Sequence, residues 1–148
     1  MPATSLQIRT KRIYAKPSQT DGTRVLVDRL WPRGVTKQDS RLEAWLKHLA
    51  PSNELKRWSR EHPDSWDAFR SQYFKELKRP EATVALADLY KLGSSGKRLT
   101  LLFASKDEQR NHAVVLKELL LGIRKATYWH RTGWLAFRKR TPGKANAG

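Results

Sequence analysis

Cysteine is absent from this chain of 148 residues. Its absence excludes disulfide bonds, thiolate metal sites, iron–sulfur clusters and every mechanism that needs a cysteine nucleophile. Long apolar runs are also missing: no window reaches the length of a membrane span, and the first ten residues form no signal peptide. We therefore expect a cytoplasmic protein without a membrane partner.

Several common motifs are missing as well. The sequence has no phosphate-binding loop of the Gly-x-x-x-x-Gly-Lys type, no Gly-x-Gly-x-x-Gly and no Gly-x-Ser-x-Gly. Its four histidines, His48, His62, His112 and His130, do not follow the spacing of metal ligands. We expect no bound metal and no cofactor.

Acidic residues are scarce: 14 Asp and Glu stand against 30 Lys and Arg, which gives a net charge of +16. Residues 121–148 hold seven basic residues and no acidic one. The length fits one domain better than two, and we expect an α/β domain over residues 1–121. A basic, aromatic-containing extension over residues 122–148 follows it, and we expect the end of this extension to be disordered.

The extension interleaves aromatic residues with cations, a composition that suits single-stranded nucleic acid. The other interpretation is a last helix or strand that packs its aromatic side chains on the core and ends in solvated basic residues. In the first interpretation the cations that bind nucleic acid are Arg124, Lys125, Arg131, Arg138, Lys139 and Arg140.

Two short apolar runs, residues 25–28 and 99–104, predict buried strands that lie side by side in one sheet. Residues 6–14 alternate in part between apolar and polar side chains, which predicts a half-exposed strand. The connection between residue 14 and residue 25 is too short for a helical crossover. We therefore expect the first strand to be an antiparallel edge strand.

About five helices are predicted around this small sheet. Leu42, Trp45 and Leu49 recur at helical spacing after the capping pair Ser40 and Glu43, which predicts a helix there. Further helices are predicted after residues 52, 63, 80 and 105. Buried strands that are followed by helices indicate an α/β fold.

Ligands bind beyond the carboxyl ends of strands in open α/β sheets, and this rule selects two segments. The first supplies Asp28, Arg29, Trp31, Arg33 and Gly34, and the second supplies Asp107, Asn111 and His112. Arginines bind phosphate or carboxylate, and a helix start favours an anion. His112 or Asp28 would transfer a proton if a reaction takes place.

Each of these residues also has a structural interpretation. Asp28 can form an ion pair with a neighbouring arginine, and Asp107 can complement a helix dipole. His112 can pack as an ordinary half-buried histidine, and Trp31 can be a core residue. Both interpretations stand at the level of the sequence.

Residues 25–34 (VLVDRLWPRG), 100–107 (TLLFASKD) and 111–118 (NHAVVLKE) resemble the YeaO-like bacterial family of domains of unknown function. Residues 46–55 and 66–69 are similar to its intervening helices, so the resemblance covers about residues 6–121. It implies a compact cytosolic α/β protein and no particular activity. The wider family carries Asp-x-Arg after the first strand and Cys-His-Arg before the last helix. Asp28-Arg29 and Asn111-His112 match these positions without the cysteine.

The sequence therefore predicts a cytoplasmic protein with a site for a small anion or a phosphate-bearing ligand. The alternative is a nucleic-acid-binding module that uses the basic surface and the extension. Whether a reaction is catalysed, and in which oligomeric state, is left open by the residues.

Overall fold

A parallel four-stranded sheet with helices around it forms the fold. The computed structural model describes the backbone of residues 6–130 and the side chains of residues 6–123. Two 3₁₀ turns, at Gln19–Asp21 and Lys47–Leu49, accompany the helices. In chain order the other elements are β1 (Ile8–Arg12), β2 (Thr23–Leu26), α1 (Lys37–Ser40), β3 (Ala44–Trp45), α2 (Asn53–Glu61), α3 (Trp66–Glu76), α4 (Pro80–Gly93), β4 (Leu99–Phe103) and α5 (His112–His130).

The strand order in the sheet is β1-β4-β2-β3. β4 pairs with β1 on one side and with β2 on the other, and both pairings are parallel. Thr23 lies opposite Leu99 and Leu26 lies opposite Leu102. The prediction that the two apolar runs form neighbouring strands is confirmed, as is the α/β class with about five helices.

The prediction of an antiparallel edge strand was wrong. β1 and β2 do not pair, because β4 lies between them, and all strands of the sheet are parallel. Residues 13–22 connect the two strands and include a 3₁₀ turn. Ten extended residues reach about 33 Å, whereas a five-residue strand is only about 17 Å long. The connection is therefore long enough to return to the start of β2 without a helix.

The helix predicted over residues 42–49 was also wrong. Thr36 caps the short helix α1, and Arg41 ends it in the left-handed conformation with φ at 51°. The chain then runs beside β2 as β3. The backbone N–H of Glu43 donates to the Arg24 carbonyl at 2.7 Å, and that of Leu46 donates to the Leu26 carbonyl at 2.9 Å. Pairing with an existing strand overrides the helical spacing of the apolar residues.

The core is centred on β4, whose five residues are all buried. α4 contributes Ala82, Ala85, Leu86 and Leu89 to the buried set. A strand without an exposed position is typical of a parallel sheet that is covered on both faces.

A buried ion cluster lies at the amino end of β2, just before that strand begins. Asp21 is fully buried and accepts hydrogen bonds from Arg9 at 2.8 Å, Lys11 at 2.9 Å and Arg24 at 2.6 Å. Burial on its own would raise the pKa of Asp21. The hydrogen bonds from these three cations and from the Ser18 backbone outweigh burial and hold that pKa well below its usual range.

The chain divides into two compact units, residues 1–117 and residues 118–148. The second unit begins within α5, and its residues Leu120 and Ile123 are buried. No helix among the described residues is long and apolar enough to cross a membrane.

Candidate ligand-binding cleft

A cleft of about 570 Å³ lies at the carboxyl ends of β2 and β4. One wall comes from the segment between β4 and α5, and the other comes from α2, α3 and the turn between them. We call it the strand-end cleft. Its lining residues are Asp28, Pro51, Lys56, Ser59, Arg60, His62, Pro63, Ser65, Trp66, Phe69, Ala104, Ser105, Lys106, Asp107, Arg110, Asn111 and His112.

Asp28 lies two residues beyond β2 and bridges the two central strands. Its Oδ2 accepts a 2.9 Å hydrogen bond from the backbone N–H of Ala104, which directly follows β4. Its Oδ1 is buried and has no hydrogen bond of good geometry, although Nε2 of His112 lies 3.1 Å away. One oxygen of the carboxylate thus fixes the strand ends, and the other faces the histidine.

His112 is the first residue of α5 and is buried. Its Nε2 lies 3.0 Å from the Val27 carbonyl oxygen as well as 3.1 Å from Oδ1 of Asp28. A carbonyl and a carboxylate only accept hydrogen bonds, so Nε2 must carry a hydrogen. In the neutral imidazole Nδ1 is then the acceptor nitrogen, and no described residue donates to it. The ring of Tyr73 meets the imidazole edge-on, with 6.1 Å between centroids.

The segment from residue 105 to residue 111 is held by side-chain hydrogen bonds to its own backbone. Oδ1 of Asp107 accepts from the backbone N–H of Arg110 at 2.9 Å and of Gln109 at 3.0 Å, and these two bonds hold the pKa of Asp107 below its usual value. Asn111 donates to the Asp107 carbonyl at 2.8 Å and accepts from the Val114 N–H at 3.1 Å. The turn therefore fixes the backbone that carries Lys106 and Arg110 beside the cleft.

The predicted start of α5 was too early, because the sequence placed it after Ser105. The helix begins at His112, and Asn111 accepts the hydrogen bond that caps it. Ser105 forms only a local turn, in which its Oγ accepts from the Asp107 N–H at 3.2 Å.

α2 presents polar side chains to the cleft. Ser52 caps the helix by accepting from the Leu55 N–H at 3.1 Å. Lys56, Ser59 and Arg60 follow at spacings of three and four residues, so they lie on one face of the helix. This face lines the cleft and supplies two of its cations.

α3 presents aromatic rings to the same cleft. The rings of Trp66 and Phe69 stack with 5.5 Å between centroids and 18° between planes. Phe69 in turn stacks on the buried Tyr73 at 5.8 Å. The indole of Trp66 is half-buried and is supported on one side by this column of rings.

The structure brings together four of the eight residues selected from the sequence. Asp28, Asp107, Asn111 and His112 all line the strand-end cleft. The other four, Arg29, Trp31, Arg33 and Gly34, lie outside it.

Arg29 donates from Nη2 to the Ala50 carbonyl at 3.2 Å and lines a separate cavity of about 90 Å³. Trp31 packs against the core residues Ile13, Leu26 and Leu102, and its Nε1 donates to the Val35 carbonyl at 2.6 Å.

Arg33 and Gly34 are exposed in the turn that follows Trp31. The backbone carbonyl of Arg33, rather than its guanidinium, is engaged: it accepts from the Tyr14 hydroxyl at 3.1 Å. Gly34 has φ at 77°, a conformation that favours glycine in a turn.

The sequence did not select the cleft residues on α2 and α3. Neither the aromatic residues on α3 nor the cations on α2 belong to the segments that the strand-end rule selected. The spacing of Lys56, Ser59 and Arg60 was the available signal, because it places three polar residues on one helical face.

The alternative nucleic-acid site lies outside the described side chains. At Arg124 and Lys125, which belong to α5, only the backbone is described. The other members lie beyond residue 130: Arg131, Arg138, Lys139 and Arg140. Across the side chains of residues 6–123, no group of three or more metal-ligating residues could hold a metal ion.

Comparison with known proteins gives a consistent set of relatives. Residues 7–130 match a family described as the inactive DUF488-N3 subclade. The chain is 41% identical over 119 residues to the uncharacterised protein YeaO of Escherichia coli, covering 80% of this chain and 100% of YeaO. It is 41% identical over 116 residues to the uncharacterised protein Rv3073c of Mycobacterium tuberculosis, covering 78% of this chain and 95% of that protein. No solved structure matches the chain.

Proposed function

The chain belongs to the YeaO-like family, in the subclade described as inactive DUF488-N3, and from this premise we propose that its strand-end cleft binds a small phosphate-bearing anion without converting it. The observation that carries the proposal is the set of cations around the cleft. Lys56 and Arg60 stand on one wall, and Lys106 and Arg110 stand on the other. None of the four forms an ion pair within the described part of the chain, although the charge of Arg110 contributes to the lowered pKa of Asp107.

Only two carboxylates line the cleft against these four cations. Asp28 is engaged with Ala104 and His112, and Asp107 is engaged with its own turn. Cations on two facing walls raise the local concentration of anions and can contact one phosphate from both sides.

The position of the cleft supports the same proposal. It lies beyond the carboxyl ends of two adjacent parallel strands, which is where open α/β sheets hold ligands. α5 begins at the cleft with His112, and the positive end of its dipole favours a negative charge there.

Binding without turnover is supported by the chemistry of residues 111 and 112. The wider family has a cysteine where this chain has Asn111, and the amide of Asn111 caps α5 and braces the preceding turn. An amide is not a nucleophile. His112 therefore has no cysteine beside it to activate.

A paired-ligand assay tests the proposal. Melting temperature and calorimetric affinity are measured with ribose 5-phosphate against ribose, and with adenosine 5′-monophosphate against adenosine. We expect only the phosphorylated member of a pair to bind and to raise the melting temperature, since a ligand that binds only the native state stabilises it. The affinity falls as salt is added, because salt screens the exposed cations.

Two arginines on α2 provide the matched variants. Arg60 lines the cleft and Arg57 does not, although both are exposed on the same helix. Arg60→Gln is expected to weaken phosphate binding about 5- to 10-fold, equivalent to roughly 1 kcal/mol for one charged contact. Arg57→Gln is expected to leave it unchanged. If neither phosphorylated ligand binds, or if both variants weaken binding equally, the proposal is wrong.

A further inference from the structure

The strand-end cleft is larger than a phosphate group requires. Its volume of about 570 Å³ falls within the range of about 300–1,000 Å³ that is typical of sites for whole small molecules. A ligand held only by its phosphate would leave most of the cleft filled with water. The remaining wall therefore indicates the rest of the ligand.

The aromatic wall has one ring available for stacking. Phe69 supports Trp66 at 5.5 Å and 18°, and Tyr73 supports Phe69 at 5.8 Å. Within residues 6–123 no other ring or cation stacks on Trp66, although it lines the cleft. An indole that is held by a column of rings and flanked by cations is the combination that binds a base together with its phosphate.

The floor of the cleft adds a hydrogen-bond acceptor. Nε2 of His112 is hydrogen-bonded to the Val27 carbonyl and lies beside Asp28, so in the neutral imidazole Nδ1 has a lone pair and no donor among the described residues. A phosphate dianion cannot donate a hydrogen bond to this atom, whereas a ribose hydroxyl or a base N–H can. A ligand that carries a hydrogen-bond donor as well as a negative charge can therefore use this atom.

We infer that the ligand is a nucleoside phosphate, with its base on the indole of Trp66 and its phosphate among Lys56, Arg60, Lys106 and Arg110. The inference rests on the proposed function, because it requires the cations to bind the phosphate. It goes further by assigning the wall on α3 to an aromatic base.

Calorimetry on the full chain tests the inference. The probes are the four ribonucleoside 5′-monophosphates, ribose 5-phosphate and inorganic phosphate. Stacking on one aromatic ring predicts that the best nucleotide binds about 5- to 150-fold more tightly than ribose 5-phosphate. Trp66→Leu is expected to remove this difference while leaving the affinity for ribose 5-phosphate unchanged, and Trp66→Phe is expected to retain most of it.

Phe74→Leu is the matched control for Trp66→Leu. Phe74 is a half-buried aromatic residue on the same helix, but it does not line the cleft and carries Arg70 over its ring at 5.6 Å. We expect this variant to bind nucleotides like the original chain. Circular dichroism of each variant establishes that the fold is retained, and Trp66→Phe serves as the folded test if Trp66→Leu unfolds.

The outcomes separate the two proposals. If nucleotides and ribose 5-phosphate bind equally well, or if Phe74→Leu matches Trp66→Leu, the nucleoside phosphate is excluded and phosphate binding stands. If none of the phosphorylated probes binds, both proposals are wrong. If a short 5′-phosphorylated oligonucleotide competes with the best mononucleotide, the natural ligand is the 5′ end of a nucleic-acid strand. If the oligonucleotide does not compete, the natural ligand is a free nucleotide. Either result supports the binding of a nucleoside phosphate.

Discussion

The backbone N–H of Ala104 donates a 2.9 Å hydrogen bond to Oδ2 of Asp28. The two residues are 76 positions apart in sequence, and each follows one of the two central strands. The bond holds the strand ends together at the point where the cleft opens, so one carboxylate links the sheet to the candidate site.

Replacing Asp28 tests this link. Asp28→Ala leaves the Ala104 N–H without its acceptor and His112 without its carboxylate neighbour. We expect the free energy of unfolding to fall by about 1–3 kcal/mol, the range for a buried group that loses its hydrogen bond. Urea denaturation measures the change. Asp88→Ala, at an exposed position on α4, should shift it by less than about 0.5 kcal/mol. Equal losses would show that Asp28 does not fasten the strands.

Asp21 should control stability in acid. Its pKa is lower in the folded chain than in the unfolded chain, where a carboxyl titrates near 3.9 (about the value of a model peptide). The stabilisation is therefore complete above about pH 5 and is lost progressively as the pH falls below that value. Asp21→Asn should cost about 3–5 kcal/mol at pH 7, because Arg9, Lys11 and Arg24 lose their common anion.

The Asp21→Asn variant should also change how the free energy of unfolding depends on pH. The difference in unfolding free energy between the original chain and Asp21→Asn should shrink as the pH is lowered from 5 to 2 (roughly the range set by the unfolded carboxyl). Denaturant melts at several pH values measure it, and Asp88→Asn is the exposed control. A difference that stays constant over this range would show that the cluster does not depend on the Asp21 charge.

Tyr73 should control stability at the alkaline end. Its side chain is buried, and its hydroxyl donates to the Leu49 carbonyl at 2.5 Å. Burial raises its pKa well above the usual value, with further contributions from the charges of Glu76 and Asp28. The unfolded chain therefore loses the phenol proton first, near pH 10, and stability should fall as the pH rises above that value.

Tyr73→Phe separates the hydrogen bond from the titration. At pH 7 the variant should lose about 1–3 kcal/mol, because the Leu49 carbonyl is left without its donor. Above about pH 10 the difference in unfolding free energy between the original chain and Tyr73→Phe should narrow, since phenylalanine does not titrate. Tyr14→Phe, at an exposed position, is the control and should lose less stability at pH 7 than Tyr73→Phe. A gap that widens with pH would contradict the assignment.

Gly22 and Gly34 provide a comparison between two turn glycines. Both have positive φ, 66° and 77°. A Cβ on Gly22 would overlap the Arg98 carbonyl oxygen, whereas one on Gly34 meets no atom within 4 Å. Gly34→Ala should cost about 1–2 kcal/mol from backbone conformation alone. Gly22→Ala should cost about 1–3 kcal/mol more, because the Arg98 carbonyl also accepts from Thr23. Thermal melts rank the two variants, and equal losses would contradict the overlap.

Much of the sheet could be predicted because its central strands have a local signature. The runs that predicted β2 and β4 are mostly apolar, and the strands are almost entirely buried, as strands covered on both faces are. Strand partners have no such signature. The alternation around Ile8 indicated a strand but could not show that β4 would lie between it and β2. Trp45 has helical spacing with its apolar neighbours, and only pairing with Leu26 makes it a strand residue.

The candidate site could also be predicted from the sequence only in part. The strand-end rule selected Asp28 and His112, which the structure places next to each other, because one lies just beyond β2 and the other opens the helix that follows β4. The direction of Arg29 depends on the neighbouring Ala50 carbonyl, which no local pattern reveals. The wall of Arg60 and Trp66 depends on how α2 and α3 pack, which only the folded chain specifies.

The central place of β4 has a consequence for how the chain folds during synthesis. β1 and β2 each pair with β4, and β3 pairs only with β2. Until residue 103 leaves the ribosome, β1 and one side of β2 lack their partner. The sheet thus closes by inserting its last strand between segments made much earlier, a non-local event of the kind that slows folding and exposes strand edges to other chains. A nascent chain stalled before residue 99 therefore remains open, and β4 is the strand that completes the sheet.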